Sequence, residues 1–192
     1  MSKTKLQNDF EMFRDHCIII RRDCNTYNEL FFSGYDEILV KTASSFFSDI
    51  SEIMHRDWIL QVCKLMDPAT TKRKGGNLEN LTIKLIDSQL ENEGLMSLEI
   101  KNLSLALLNY GKKLSPARHK RLAHFDRAHQ ISGVVLGATT EKELADFLDN
   151  LQLYCDEVGR AIGSGPLDFS SSACHGDVSD LLRILREHCE KT

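Results

Sequence analysis

The sequence predicts an all-α fold with a helix at its C-terminal end. Three observations carry the prediction. There are only three prolines in 192 residues, so little interrupts a helix. Apolar residues recur at three- and four-residue steps over long segments, which is the helical period and not the alternation of strands. No internal repeat or low-complexity tract breaks the pattern. A chain of this length suits one domain and can bury a core without staples. We expect a helical bundle over residues 1–163, and a serine-rich connection with a last helix over 164–192 that packs on the bundle or on a second copy.

Residues 4–32 read as one long helix or two shorter ones, with Phe10, Phe13 and Cys17 on the apolar face and a stop at Ser33-Gly34. Residues 36–66 give the clearest long helix, with Leu39, Phe47, Ile50, Met54, Trp58, Val62 and Leu65 in register. Asp67-Pro68 ends it, because the residue before a proline is pushed out of the helical region. Residues 69–77 are basic and glycine-bearing (Lys72, Arg73, Lys74, Gly75, Gly76). They read as a flexible surface connection, with a basic flap that contacts phosphates as the alternative. Residues 78–111 form one or two helices, broken near Glu91–Gly94 and closed by Gly111. The next helix starts with Ser115 as N-cap and Pro116 at the first helical position, and runs to about 127. Residues 131–138 read as a loop. Thr140 and Glu143 form a capping box, so a helix begins at Glu141 and ends at Gly163. A final helix starts near Asp177.

Composition excludes several kinds of protein. A formal net charge of −4 argues against a chain that coats nucleic acid all over, though not against a local basic cleft. No signal peptide precedes the six cysteines, and several sit inside helical patterns, so we expect reduced thiols and a cytoplasmic protein. No apolar run approaches the length of a membrane span. A Cys2His2 set can be drawn from Cys174, His175, His188 and Cys189, but its spacing matches no zinc module. The glycines at 75 and 76 precede no Lys-Ser/Thr, so they form no P-loop, and no Gly-x-Ser-x-Gly is present. We expect neither a metal nor another cofactor.

What stands out is the stretch from Lys112 to Arg127. It holds six Lys/Arg and one acid, about +5 locally against the sign of the whole chain. Arg118, His119, Lys120, Arg121, His124 and Asp126 lie close together in it. The residue types fit phosphodiester chemistry. Cleaving RNA without a metal requires a group that titrates near neutrality, and histidine is that group. It also requires a fixed cation against the charge of the transition state, and arginine's planar fork suits phosphate oxygens. The N-terminus of a helix starting at Ser115 would add free N–H groups. At 100° per residue Arg118 and His124 lie about 120° apart round a helix and about 9 Å apart along it. Either Arg118 reaches round, or a second copy related by a two-fold axis completes the site, the option we prefer. The plainer reading is a basic surface helix with a structural histidine beside Phe125.

Arg118-His119-Lys120-Arg121-Leu122-Ala123-His124 resembles the Arg-x(4–6)-His motif of the HEPN superfamily. Asp67-Pro68-Ala69, the glycine-bearing gap, Asn77-Leu78-Glu79-Asn80-Leu81 and the Leu-Ala-His-x-Asp ending at Asp126 resemble its AbiU-type abortive-infection branch. The resemblance implies an antiparallel bundle of four or five core helices, here followed by the C-terminal helix, usually as a two-fold homodimer with the motif helices meeting at a cleft between protomers. It implies a metal-independent endoribonuclease that leaves a 2′,3′-cyclic phosphate and serves as a toxin or antiphage effector. Arg118 and His124 then form the catalytic pair, while His119, Lys120, Arg121 and Asp126 support it or bind RNA. RNA is the expected ligand, with room for an antitoxin or other regulatory protein and no membrane partner. His119 stands where the branch usually has asparagine, which fits a helper imidazole or a degraded site. Some members of the superfamily are non-catalytic modules that bind RNA, nucleotides or proteins, and this is the alternative function.

Overall fold

A computed structural model describes residues 3–123, 137–171 and 174–190. The described chain is helical apart from one small hairpin. Helix α1 spans Lys5–Phe32 and α2 spans Asp36–Leu65. Strands β1 (Thr70–Arg73) and β2 (Gly76–Glu79) pair antiparallel, with Thr70 opposite Glu79 and Arg73 opposite Gly76. Helix α3 follows over Ile83–Asn92 and α4 over Leu98–Ala117. A π-helical turn, Arg118–Ala123, continues α4 directly. Helix α5 spans Glu141–Ile162 and α6 spans Val178–Cys189.

Four long helices form the body. Helix α1 packs on α2 and α5, α4 packs on the same two, and α3 bridges α1 and α4 at one end. Each supplies a stripe at helical spacing. On α1 it is Leu6, Phe10, Phe13, Cys17, Ile20 and Cys24, all buried. On α4 it is Ile100, Ser104, Leu107, Gly111, Leu114 and Ala117. On α5 it is Phe147, Leu151, Tyr154, Cys155 and Val158. One polar knot crosses this core. Tyr154 Oη donates to Asp87 Oδ1 at 2.9 Å, and Ser104 Oγ donates to Asp87 Oδ2, so α3, α4 and α5 are tied together. All six cysteines are free thiols, and four are buried. Among the described residues no helix is long and apolar enough to cross a membrane.

Several expectations hold at the level of single caps. Residues 5–32 form one helix, and the β-branched run Ile18–Ile20 does not break it because Ile20 is held in the core. Thr140 and Glu143 form the expected capping box, and Gly163 closes α5 in the left-handed conformation at φ 73°. Asp177 caps α6, accepting from the N–H groups of Ser179 and Asp180.

Four expectations are corrected. Helix α2 is not uniform: Ala43 leaves the helical region at φ −163°, ψ 69°, and kinks it. Residues 69–77 are not a bare loop. They form most of the hairpin, and Leu78 lies exposed in β2, not on a helix face. Gly111 does not end α4. It sits in the buried stripe, where a Cβ would come within 2.2 Å of Met66 Cγ. Finally, no helix starts at Ser115. The stripe of α4 runs on through Leu114 and Ala117, and its burial carries the helix past Pro116. Proline lacks the N–H that would bond the carbonyl four residues back. The next turn changes register to the wider π spacing, a common response to a disrupted ladder.

Helix α6 docks on the free ends of α1 and α2. Leu182 is fully buried with Leu30, Leu39 and Phe47, and the Arg186 guanidinium lies 4.8 Å over the Tyr35 ring. Helix α2, 30 residues and so about 45 Å long, separates this end from its own C-terminus.

Candidate functional site

The distal end of α2 and the end of α4 meet at Asp67 and Arg118. Helix α2 stops at Leu65 with Met66 as its cap, and Asp67 follows before Pro68. Gly111 lets the Met66 side chain lie against α4, which brings this terminus close to the basic segment. Arg118 Nη1 donates to Asp67 Oδ1, and Arg118 Nη2 donates to Oδ2 at 3.1 Å. This two-bond fork fixes the guanidinium plane. Its bonds to the Asp67 carboxylate hold the Arg118 pKa above its ordinary value. Both side chains remain partly open to solvent, at 28% and 32% exposure.

Beside the pair lies a cleft of about 410 Å³. Its lining includes the apolar Met66, Leu105 and Leu108 and the basic Lys84, Lys112, Arg118 and His119. Lys84 Nζ donates to Met66 O at 3.2 Å, and Lys112 Nζ to Asn109 Oδ1 at 3.3 Å, and among the described residues neither ammonium has a carboxylate partner. His119 Nδ1 lies 2.8 Å from the Ser115 carbonyl. A carbonyl only accepts, so Nδ1 carries the proton and Nε2 of the neutral ring is left as the acceptor. Cys63 lies beneath the pair. Burial raises its thiol pKa, only partly offset by Arg118, so it is not an activated nucleophile.

The local charge is smaller than the sequence count. Lys113 donates to both oxygens of Glu143 at 2.5 and 2.6 Å, and Arg118 is paired with Asp67. Nor does a helix begin at Ser115. The Arg118 N–H is already bonded to Leu114 O and Ser115 O, so the free N–H groups expected there are absent. Lys120 is exposed on the π turn, and Arg121 shares that turn through its backbone. His124 and Asp126 lie outside the described residues, as does most of the 131–138 loop. Arg118 and His119 are therefore the predicted site residues that are brought together on the cleft. Among the described residues no cluster of three His, Cys, Asp or Glu side chains could hold a metal.

Sequence reasoning missed Asp67 as a partner of Arg118. The signal was present, because Asp67-Pro68-Ala69 carried part of the family resemblance, but locally it read only as a helix stop. A separation of 51 residues gave no hint of the contact.

The bundle, its Arg118 motif and its Asp-Pro turn define a HEPN-type domain. The family model described as AbiU2 within HEPN matches residues 3–189, and the chain belongs to that family. The match takes in α6 as well as the bundle. No curated protein and no solved structure matches the chain.

Proposed function

We propose that this chain is a metal-independent endoribonuclease of the HEPN type, acting as a toxin or antiphage abortive-infection effector. The observation that carries the reading is the Arg118 fork. A guanidinium locked by Asp67 on a cleft with two lysines that have no carboxylate partner among the described residues is a preorganised receptor for phosphate oxygens. His124, six residues on, is the titratable group. It takes the proton from the ribose 2′-hydroxyl, and the 2′-oxygen attacks the adjacent phosphorus. The P–O5′ bond breaks, the leaving oxygen takes up a proton, and a 2′,3′-cyclic phosphate and a 5′-hydroxyl result. Arg118 offsets the negative charge that grows on the phosphoryl oxygens. His119, which lines the cleft, is the supporting imidazole, while Lys120, Arg121 and Asp126 hold or steer RNA.

The site is completed across a two-fold axis by the same segment of a second copy. Arg118 and His124 are six positions apart in the sequence and so are not the i,i+4 neighbours that meet on one helix face. Pairing Arg118 of one protomer with His124 of the other avoids that constraint.

The test is RNA cleavage in EDTA by the wild type, Arg118→Ala and His124→Ala. Cleavage by the wild type alone, with cyclic-phosphate ends, is expected. Salt-sensitive binding without cleavage would instead assign a non-catalytic RNA-binding module. A wild type that neither cleaves nor binds RNA would sink both readings.

A further inference from the structure

Between α2 and α3 the chain makes a hairpin that the core does not use. All eight strand residues are exposed, and its large apolar side chain, Leu78, is 47% exposed. A two-stranded hairpin has little stability of its own. This one is nonetheless firmly rooted. Asn80 Nδ2 donates to Pro68 O and to Thr71 Oγ1, both at 2.7 Å, and Asn80 N–H donates to Ala69 O at 2.8 Å. The foot of the hairpin is thus fixed next to Asp67, and so next to Arg118. What the hairpin presents is its tip.

The tip carries Lys72, Arg73 and Lys74 in succession, followed by Gly75 and Gly76. Several cations elsewhere on the surface are paired: Arg56 with Glu52, Lys142 with Asp146, and Arg183 with Asp180 and Glu187. Among the described residues the three tip cations have no carboxylate partner. The nearest acids in the chain are Asp67 and Glu79, and both are engaged, Asp67 by Arg118 and Glu79 by Lys5 at 3.0 Å. Scattered charges suffice to protect an exposed strand edge from pairing. Three unneutralised cations of one sign, anchored beside a cationic cleft, go beyond that need.

We propose that the hairpin tip is a second RNA contact, in which Lys72, Arg73 and Lys74 grip the phosphates of a single strand that runs on from the Arg118 cleft. The inference rests on the reading of that cleft as an RNA site. The reach is adequate. Lys72 is five residues from Asp67, so the chain holds it within about 18 Å. Lys72 to Lys74 spans two residue steps, about 7 Å, close to two nucleotide rises at about 3.4 Å each.

The probe is an end-labelled 2′-O-methyl oligouridylate, which binds but has no 2′-hydroxyl to attack. Its dissociation constant is measured over a range of salt concentrations. Losing three phosphate contacts at about 0.7 each should reduce the slope of log K against log salt by about two. The triple variant Lys72→Ser, Arg73→Ser, Lys74→Ser should show that loss with an unchanged melting temperature. Lys74→Gln alone, in the turn where no ladder bond depends on it, should show about a third of it. Unchanged affinity and slope in both variants would overturn the proposal, as would a wild type that does not bind. If Arg118→Ala loses affinity and the hairpin variants do not, the hairpin role falls and the cleft reading stands. If the hairpin variants lose slope while the wild type never cuts ordinary RNA, the clamp stands and the nuclease reading falls.

Discussion

Replacing Asp67 with alanine takes away both acceptors of the Arg118 fork and leaves the guanidinium free to swing. The size of the effect follows from the setting of the pair, which is about a third open on each side. Exposed ion pairs contribute about 0.2–1 kcal/mol, and charge-assisted hydrogen bonds shielded from water about 1.5–3 kcal/mol. A half-shielded fork falls between, so Asp67→Ala should destabilise the chain by about 1–2 kcal/mol. For a domain of this size that is a fall in melting temperature of about 2–8 °C. The assay is a double-mutant cycle of Asp67→Ala and Arg118→Ala, read first by thermal melting and then by RNA affinity. If Asp67 acts through Arg118, the double variant is little worse than either single one, and the coupling reaches about 1 kcal/mol. In RNA binding, Asp67→Ala should resemble a milder Arg118→Ala and add nothing to it. Additive effects, with a coupling below about 0.5 kcal/mol, would refute the idea that Asp67 positions Arg118.

Other outcomes follow from neighbouring contacts. Gly111→Ala should destabilise by about 1–3 kcal/mol despite alanine's better helix propensity, because the new Cβ would fall 2.2 Å from Met66 Cγ. Thermal melting measures that cost, and the Asp67–Arg118 coupling should weaken with it. Tyr154→Phe removes the donor to Asp87 and should cost about 1–2 kcal/mol in denaturant unfolding. Glu143 is pulled from 4.5 down to about 2, chiefly by its bond from Lys113 and then by the Thr140 backbone. Its folded value lies below its unfolded one, so it stabilises above about pH 4.5 and that contribution disappears as pH falls toward 2. The acid limb of melting temperature against pH should flatten in Glu143→Gln. His119→Asn keeps a donor for the Ser115 carbonyl, so its kcat should stay within about tenfold of wild type, whereas His124→Ala should lose about 10²–10⁴-fold.

The bundle was legible because its stripes are local. Leu6 to Cys24 on α1 and Phe147 to Val158 on α5 repeat at three and four residues, and a period needs no knowledge of partners. Caps were legible for the same reason, as at Thr140 and Asp177. The end of α4 was not. Ser115-Pro116 has the local form of a helix start, and the tertiary burial of Leu114 and Ala117 overrides it. The hairpin at Thr70–Glu79 was hidden because its strands show no alternation of apolar and polar residues, having no face to bury. At the site, the motif located Arg118 and His119. The neutralisation of part of the cluster by Asp67 and Glu143 depends on contacts 51 and 30 residues away, which no local pattern encodes.

A site built from Arg118 of one protomer and His124 of another can be tested by mixing two inactive variants. Arg118→Ala and His124→Ala are combined in equal amounts, allowed to exchange subunits, and assayed for RNA cleavage in EDTA. In a mixed dimer one of the two cross-protomer sites keeps both residues, and random exchange makes half of the dimers mixed. The account predicts recovery of about a quarter of wild-type activity from two inactive proteins. No recovery, in a mixture shown to have exchanged subunits and beside an active wild type, would contradict it and place the site within one chain.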